Sequence, residues 1–226
     1  MNQRGFVPGE AVPVRAGGDA PRLQVTGLSK SFLGANALEG VSFSILPGEV
    51  LALIGENGAG KSTLIRILSG AHRPDAGEVF VNGEKVDILS PRMAEDLGIA
   101  TVYQELSLFP ELSVAENLVF GAYPRRGVID WRAAQREAAE FLASLDVDID
   151  VTQRVRELSI AEKQMLEIAK ALHRRAQIVI LDEPTAVLGG ADVDHLLALV
   201  RGLKERGVSV IFVSQRLEAV FDLADN

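Results

Sequence analysis

The stretch from Val50 to Leu68 constrains this chain more than any other. Five apolar residues, Val50-Leu51-Ala52-Leu53-Ile54, run directly into Gly55-Glu56-Asn57-Gly58-Ala59-Gly60-Lys61-Ser62, which fits G-x-x-x-x-G-K-[ST], and Ser62–Leu68 continues at helical spacing. Glycines in such a turn let successive backbone N–H groups point into one concavity at a helix N-terminus, which is an anion nest. Lys61 supplies a point charge suited to the β- and γ-phosphates of a nucleoside triphosphate, and Ser62 a hydroxyl suited to Mg²⁺. A glycine-rich turn with an exposed lysine is the bland alternative, and the strand–loop–helix context weighs against it.

The rest of the chain supplies a fold for that loop. Short β-branched runs at Leu23–Val25, Val41–Ile45, Val50–Ile54, Val79–Val81, Ile99–Tyr103, Ile178–Leu181 and Val208–Val213 read as strands. Val50–Ile54, Ile178–Leu181 and Val210–Val213 are apolar throughout, which suggests central strands of a parallel sheet covered on both faces. Asn82-Gly83 between Val79–Val81 and Lys85–Ile88 predicts a two-residue hairpin, so an antiparallel element sits beside the parallel core. Ser90-Pro91 opens a helix that Gly98 ends, and Ser113/Glu116 and Ser159/Glu162 both have capping-box spacing. Helical periodicity covers Ala161–Arg174 and Ala191–Arg206, the latter closed by Gly207. Between Leu112 and His173 no strand is evident, which predicts a helical subdomain over about residues 108–174. The fold class is therefore α/β: a mainly parallel core sheet, an antiparallel β-subdomain and an inserted α-helical subdomain.

A second chemical feature lies at Ile178-Val-Ile-Leu-Asp182-Glu183-Pro184, where two carboxylates end an apolar strand. Asp182 suits a Mg²⁺ ion through its water shell, and Glu183 suits orientation of an attacking water. Charges also mark where any buried strand surfaces, but the phosphate-binding loop in the same chain favours the chemical reading.

Composition excludes several alternatives. A 47% hydrophobic fraction provides an ample core for 226 residues, and the absence of cysteine excludes disulfides, thiolate metal sites and cysteine nucleophiles. A net charge of −8 disfavours nucleic acid as a partner. No apolar run reaches the roughly 18 residues that span a bilayer, so any membrane connection is expected through another protein. Residues 1–22 read as a loose leader rather than a secretory signal. His72, His173 and His195 show no metal-ligand spacing.

Taken together, Gly55–Thr63, Gln104, Leu158–Gln164, Asp182–Glu183 and Val213–Arg216 resemble, in order and interval, the nucleotide-binding domains of ABC transporters. Gly-Glu-Asn-Gly-Ala-Gly-Lys-Ser-Thr and Leu-Ser-Ile-Ala-Glu-Lys-Gln look most like the first half of carbohydrate-importer ATPases of the ribose and galactoside type. The resemblance covers roughly Leu23 to the C-terminus. It implies a P-loop NTPase in which Gly55, Glu56, Asn57, Gly58, Ala59, Gly60, Lys61, Ser62 and Thr63 bind ATP. Asp182 and Ser62 would hold Mg²⁺, Glu183 would serve hydrolysis, and Gln104 would sense the metal or the attacking water. Phe32 would stack on adenine, although a core role reads equally well. Ser159 would reach the γ-phosphate of ATP on a second domain, although Ser159 and Glu162 also make a complete capping box without a ligand. The implied partners are a second ATP-binding domain, fused or as a homodimer, and transmembrane permease subunits with a docking candidate near Ser113–Leu118. A periplasmic or extracellular substrate-binding protein would act indirectly. The implied location is the cytoplasmic face of the membrane.

The chain departs from the family pattern in places. Ile160 and Ala161 stand where two glycines usually follow the serine, with the Glu162 charge close by, which predicts a weakened contact to a second nucleotide. Gln215 stands where the family carries a switch histidine. A glutamine amide can donate a hydrogen bond to a γ-phosphate but cannot take up a proton or become positively charged, so transition-state support should suffer. The loop Ala186–Gly189, where the family's domains touch, ends unlike the usual polar pattern, and the sequence stopping at Asn226 suggests a fragment of a longer protein. Two other readings compete: an ATP-binding regulatory module that scarcely hydrolyses, and a chromosome-maintenance or translation-factor ATPase. The short interval between Gln104 and Leu158, with no sustained heptads, disfavours the last.

Overall fold

A computed structural model describes residues 20–56, 58–120, 130–214 and 223–225. Two four-stranded sheets organise them. The first is antiparallel, in the order β2 (Ala35–Ile45), β1 (Leu23–Phe32), β4 (Ala76–Val81), β5 (Glu84–Val86). The second is parallel, in the order β3 (Val50–Ile54), β8 (Ser209–Ser214), β7 (Ile178–Asp182), β6 (Ile99–Val102). The helices are α1 (Lys61–Leu68), α2 (Pro91–Asp96), α3 (Val114–Val119), α4 (Trp131–Ser144), α5 (Ile160–His173) and α6 (Gly190–Glu205).

The continuously apolar strands are explained by two cores, one on each face of the parallel sheet. Val179, Leu181, Val210 and Phe212 point into a cluster shared with α3 to α6. Their neighbours Ile178, Ile180, Ile211 and Val213 point the opposite way, into a cluster shared with α1 and the antiparallel sheet. Side chains alternate faces along a strand, so covering both faces calls for apolar residues at every position. Each fully buried side chain of this kind contributes roughly 1.5–3 kcal/mol, and Phe212 is the largest of them.

One expectation needs correcting. Val50–Ile54 is apolar throughout, yet β3 pairs only with β8 and lies at the edge of the described sheet rather than in its centre. Apolarity reports how many faces are covered, not how many strands are paired. Val50 and Ala52 meet one core and Leu51 and Leu53 the other, which satisfies the pattern at an edge.

The hairpin at Asn82-Gly83 forms as expected, with φ of 52° and 81° and Val81 opposite Glu84. A second two-residue hairpin at Leu33-Gly34, with φ of 48° and 85°, joins β1 to β2 and had no such marker in the sequence. Both capping boxes are complete, and Ser90 accepts from the Met93 N–H at 3.3 Å. Between β6 and β7 the described residues form helices α3, α4 and α5 with no strand longer than the isolated Ser113–Arg154 bridge. Arg22, assigned to the loose leader, is fastened instead: its guanidinium donates to Asn82 at 3.0 Å and Gln177 at 2.9 Å, and its N–H to Ile45. Residues 1–19 lie outside the described residues. No helix among the described residues is long and apolar enough to cross a membrane.

Candidate nucleotide-binding site

Parallel strands end on the same side of their sheet, and here those ends carry the candidate residues. Gly55 follows β3, Gln104 follows β6, Asp182 ends β7 and Ser214 ends β8. The register places Ile54 beside Ser214, Val213 beside Asp182, and Leu181 beside Val102. Residues far apart in sequence thus line one edge, the usual position for ligands of open α/β sheets.

The loop at Gly55–Gly60 is shaped for close backbone approach. Gly58 and Gly60 have φ of 88° and 89°, the left-handed region that favours glycine. A Cβ on Gly60 would lie 2.4 Å from the Ala37 carbonyl and 2.8 Å from Leu38 Cδ2, so the β1–β2 hairpin packs directly on the loop. Gly60 also caps α1 without any side-chain hydrogen bond, and the first turn of α1 carries no acid. Its first N–H groups and the positive end of the helix dipole therefore remain available to an anion. Lys61 Nζ donates to the Gly55 carbonyl and, at 3.1 Å, to the Glu56 carbonyl, which holds the ammonium across the loop. Ser62 is exposed at the same helix start, and Thr63 is half-buried beside it. Asn57 lies outside the described residues.

Asp182 is half-buried, and burial is the main cause that raises its proton affinity above the ordinary value of 3.8. Glu183 adds to the rise, and Lys61 and Arg66 pull it back. That pattern puts the Asp182 carboxylate in the field of the Lys61 ammonium. Arg66, in the last turn of α1, was not singled out by the sequence reading, because its effect on Asp182 exists only once α1 packs against β7. Glu183 adopts φ of 51°, a region rare for a side chain of its size, and its N–H donates to Val213 at 3.0 Å. The β8 carbonyl therefore holds Glu183 in a backbone conformation that costs on the order of 1–3 kcal/mol, and such strain concentrates at functional sites.

A magnesium ion fits this donor set. Among the described residues no group of three or more His, Asp or Glu side chains gathers to cage a metal. Mg²⁺ needs no such cage, because it usually takes one or two protein oxygens and completes its shell with water and phosphate. A half-buried carboxylate and a hydroxyl at a helix start are donors of that kind.

The remaining candidates are distributed differently. Gln104 is exposed just past β6. Phe32 ends β1 with 41% of its surface exposed, so it is not a core residue. Ser159 caps α5: its hydroxyl accepts from the Glu162 N–H at 3.2 Å, and Glu162 accepts from the Ser159 N–H at 2.7 Å. The Ser159 carbonyl accepts from the Lys163 N–H at 3.1 Å, as the first turn of α5 requires. Ile160 stands 53% exposed beside Ser159, whereas Ala161 is buried. Gln215 and Arg216 lie outside the described residues.

Two polar groups of the helical region, Asn117 and Lys170, are buried. The Asn117 amide accepts from the Phe109 N–H at 2.7 Å and donates to the Phe109 and Ser113 carbonyls. Lys170 donates to the Ser107 carbonyl at 2.9 Å and pairs with Glu167 at 3.3 Å, which ties the segment after Gln104 to α5. A polar residue on a helix gives no sequence signal of burial, so neither was legible.

Comparison with known proteins identifies the family, because a family model described as ABC transporter matches residues 38–186. The chain belongs to the ABC transporter family. Ribose import ATP-binding protein RbsA 1 of Rubrobacter xylanophilus is 52% identical over 206 residues, covering 91% of this chain and 41% of that protein. Ribose import ATP-binding protein RbsA of Corynebacterium glutamicum is 46% identical over 207 residues, covering 91% and 40%. This ABC chain thus spans about two fifths of the length of the curated relatives it matches. Among solved structures, the ADP conformation of an ATP-binding cassette of an ABC transporter aligns with a TM-score of 0.82 at 27% identity, over 91% of this chain and 85% of that one. A dimeric post-hydrolysis ATP-binding cassette bound to ADP and Pi aligns with a TM-score of 0.72 at 25% identity, over 87% and 89%. The fold is the P-loop NTPase fold of ABC cassettes.

Proposed function

We propose that this chain is the ATP-binding, ATP-hydrolysing module that energises an ABC importer of sugars, working at the cytoplasmic face of the membrane. One observation carries the reading: the Gly55–Lys61 loop at a bare helix N-terminus shares the sheet edge with the Asp182–Glu183 pair. The ribose-import names of the relatives support the sugar.

In this reading the loop amides and the Lys61 ammonium bind the triphosphate and Phe32 packs against the base. Ser62, Asp182 and Gln104 hold Mg²⁺, whose charge when bound helps neutralise the phosphate oxygens. Glu183, fixed by the β8 carbonyl, accepts a hydrogen bond from the attacking water and orients it. Residues of about 108–174 move as a helical unit, and Ser159 faces the nucleotide of a second ATP-binding domain. Permease subunits dock on the helical unit, and a substrate-binding protein delivers the sugar to them.

Two features favour a second reading, a module that binds ATP but turns it over slowly: Ile160 projects beside Ser159, and glutamine occupies position 215. Calorimetric titration with Mg·ATP tests the site, and steady-state phosphate release with and without the permease separates the readings. Release that stays at background with the permease present favours the regulatory module. Absence of Mg·ATP uptake removes both.

A further inference from the structure

Phe32 does not stand alone at the end of β1. Its ring meets His72 edge-on, with centroids 5.4 Å apart and planes at 61°. Lys30 Nζ lies 5.5 Å from the Phe32 centroid and is itself held by Asp75 at 2.6 Å. Asp75 also accepts from the Ser31 N–H at 2.8 Å, and its own N–H donates to the Ser29 carbonyl at 2.9 Å. Residues 71–75 therefore hold the end of β1 through Ser29, Lys30 and Ser31, and meet the Phe32 ring itself through His72.

That gripping segment is the direct continuation of the phosphate-loop helix. The N–H groups of Ala71 and His72 both donate to the Arg66 carbonyl, at 2.8 and 2.9 Å. Gly70, at φ 74°, passes so close to Ser90 that a Cβ there would lie 2.3 Å from its carbonyl oxygen. The route from Lys61 through α1 to His72 is thus fixed by hydrogen bonds and by steric closeness. At the other end, Gly60 packs on Ala37 and Leu38 of β2, in the hairpin that presents Phe32.

We infer that His72 is a positioning residue for the base end of the bound nucleotide: residues 61–75 hold Lys61 at the phosphates and, through the His72 ring, hold Phe32 at the base. The inference rests on the ATP-site reading and assigns a role to a histidine outside the phosphate loop. An exposed ring free to change rotamer loses entropy when a base stacks on it, whereas a ring already braced loses less. Edge-to-face aromatic pairs are attractive beyond their buried area, which favours one rotamer of the braced ring.

The test compares two ligands that share the phosphates and differ in the base. Wild type, His72→Ala and His72→Phe are titrated with Mg·ATP and with Mg·tripolyphosphate, and their melting curves are recorded. His72→Ala should weaken ATP by about three- to tenfold and leave tripolyphosphate within about twofold. His72→Phe, which keeps an aromatic edge, should restore ATP affinity. Equal loss of both ligands in His72→Ala, or no change in either, overturns the assignment, as does failure of His72→Phe to rescue. If wild type takes up neither ligand and Lys61→Ala changes nothing, the ATP-site reading itself has failed, and the role of His72 with it.

Discussion

The Lys61 ammonium acts on the Asp182 carboxylate across the boundary between the phosphate loop and β7, lowering a proton affinity that burial and Glu183 raise. Lys61 opens α1 after the end of β3 and Asp182 ends β7, so the two charges come from separate segments of one sheet edge. Removing the lysine should leave the fold intact, because its side-chain hydrogen bonds among the described residues go to the loop carbonyls of Gly55 and Glu56. Charge-assisted hydrogen bonds are worth about 1.5–3 kcal/mol, so Lys61→Ala should weaken Mg·ATP by about 10- to 100-fold in calorimetry.

Asp182 should show the opposite balance. Its carboxyl holds its proton more tightly in the folded chain than at the ordinary 3.8, so the ionised form costs stability. That cost sets in as pH rises through the ordinary range towards the raised folded value, and it persists at neutral pH. Asp182→Asn removes it. Because the group is only half-buried, solvent screening keeps the gain small, about 1–3 °C in melting midpoint at pH 7 without metal, vanishing at pH 3. The same variant should lose the Mg²⁺ dependence of ATP binding.

Glu183→Gln keeps size and backbone but can no longer act as a carboxylate. Mg·ATP uptake should stay within about threefold of wild type while phosphate release falls by about 10²- to 10⁴-fold. Parallel loss of binding would show that Glu183 shapes the pocket rather than the reaction.

Gly60→Ala tests the loop geometry. The new Cβ would need φ of 89° and would collide with the Ala37 carbonyl. A destabilisation of about 1–3 kcal/mol in urea melts is expected, together with loss of ATP uptake.

Ser159 has two roles to separate. Ser159→Ala should cost about 1 kcal/mol through the lost cap. Ser159→Asp restores a good cap but puts a charge where a second domain's phosphate would lie. Stability near wild type, with ATP-driven dimerisation lost, is the expected outcome, measured by denaturation and light scattering.

Much of this molecule could be read from local sequence. The strand–loop–helix at 50–68, the Asn82-Gly83 hairpin and both capping boxes depend on residues within a few positions of each other, and each formed as read. Helix α4 went unmarked although Asp130 caps it and Ala134, Ala138 and Leu142 recur at helical spacing.

What the sequence alone determined was the chemistry: glycines that permit a left-handed loop, a lysine after them, and carboxylates at the end of an apolar strand. Tertiary structure decided which of these meet. The order β3-β8-β7-β6 brings residues 54, 102, 182 and 214 to one edge, put β3 at the rim, buried Asn117 and Lys170, and set His72 against Phe32. Those outcomes depend on packing between segments far apart in the chain, and no short window of residues contains the energy that selects them.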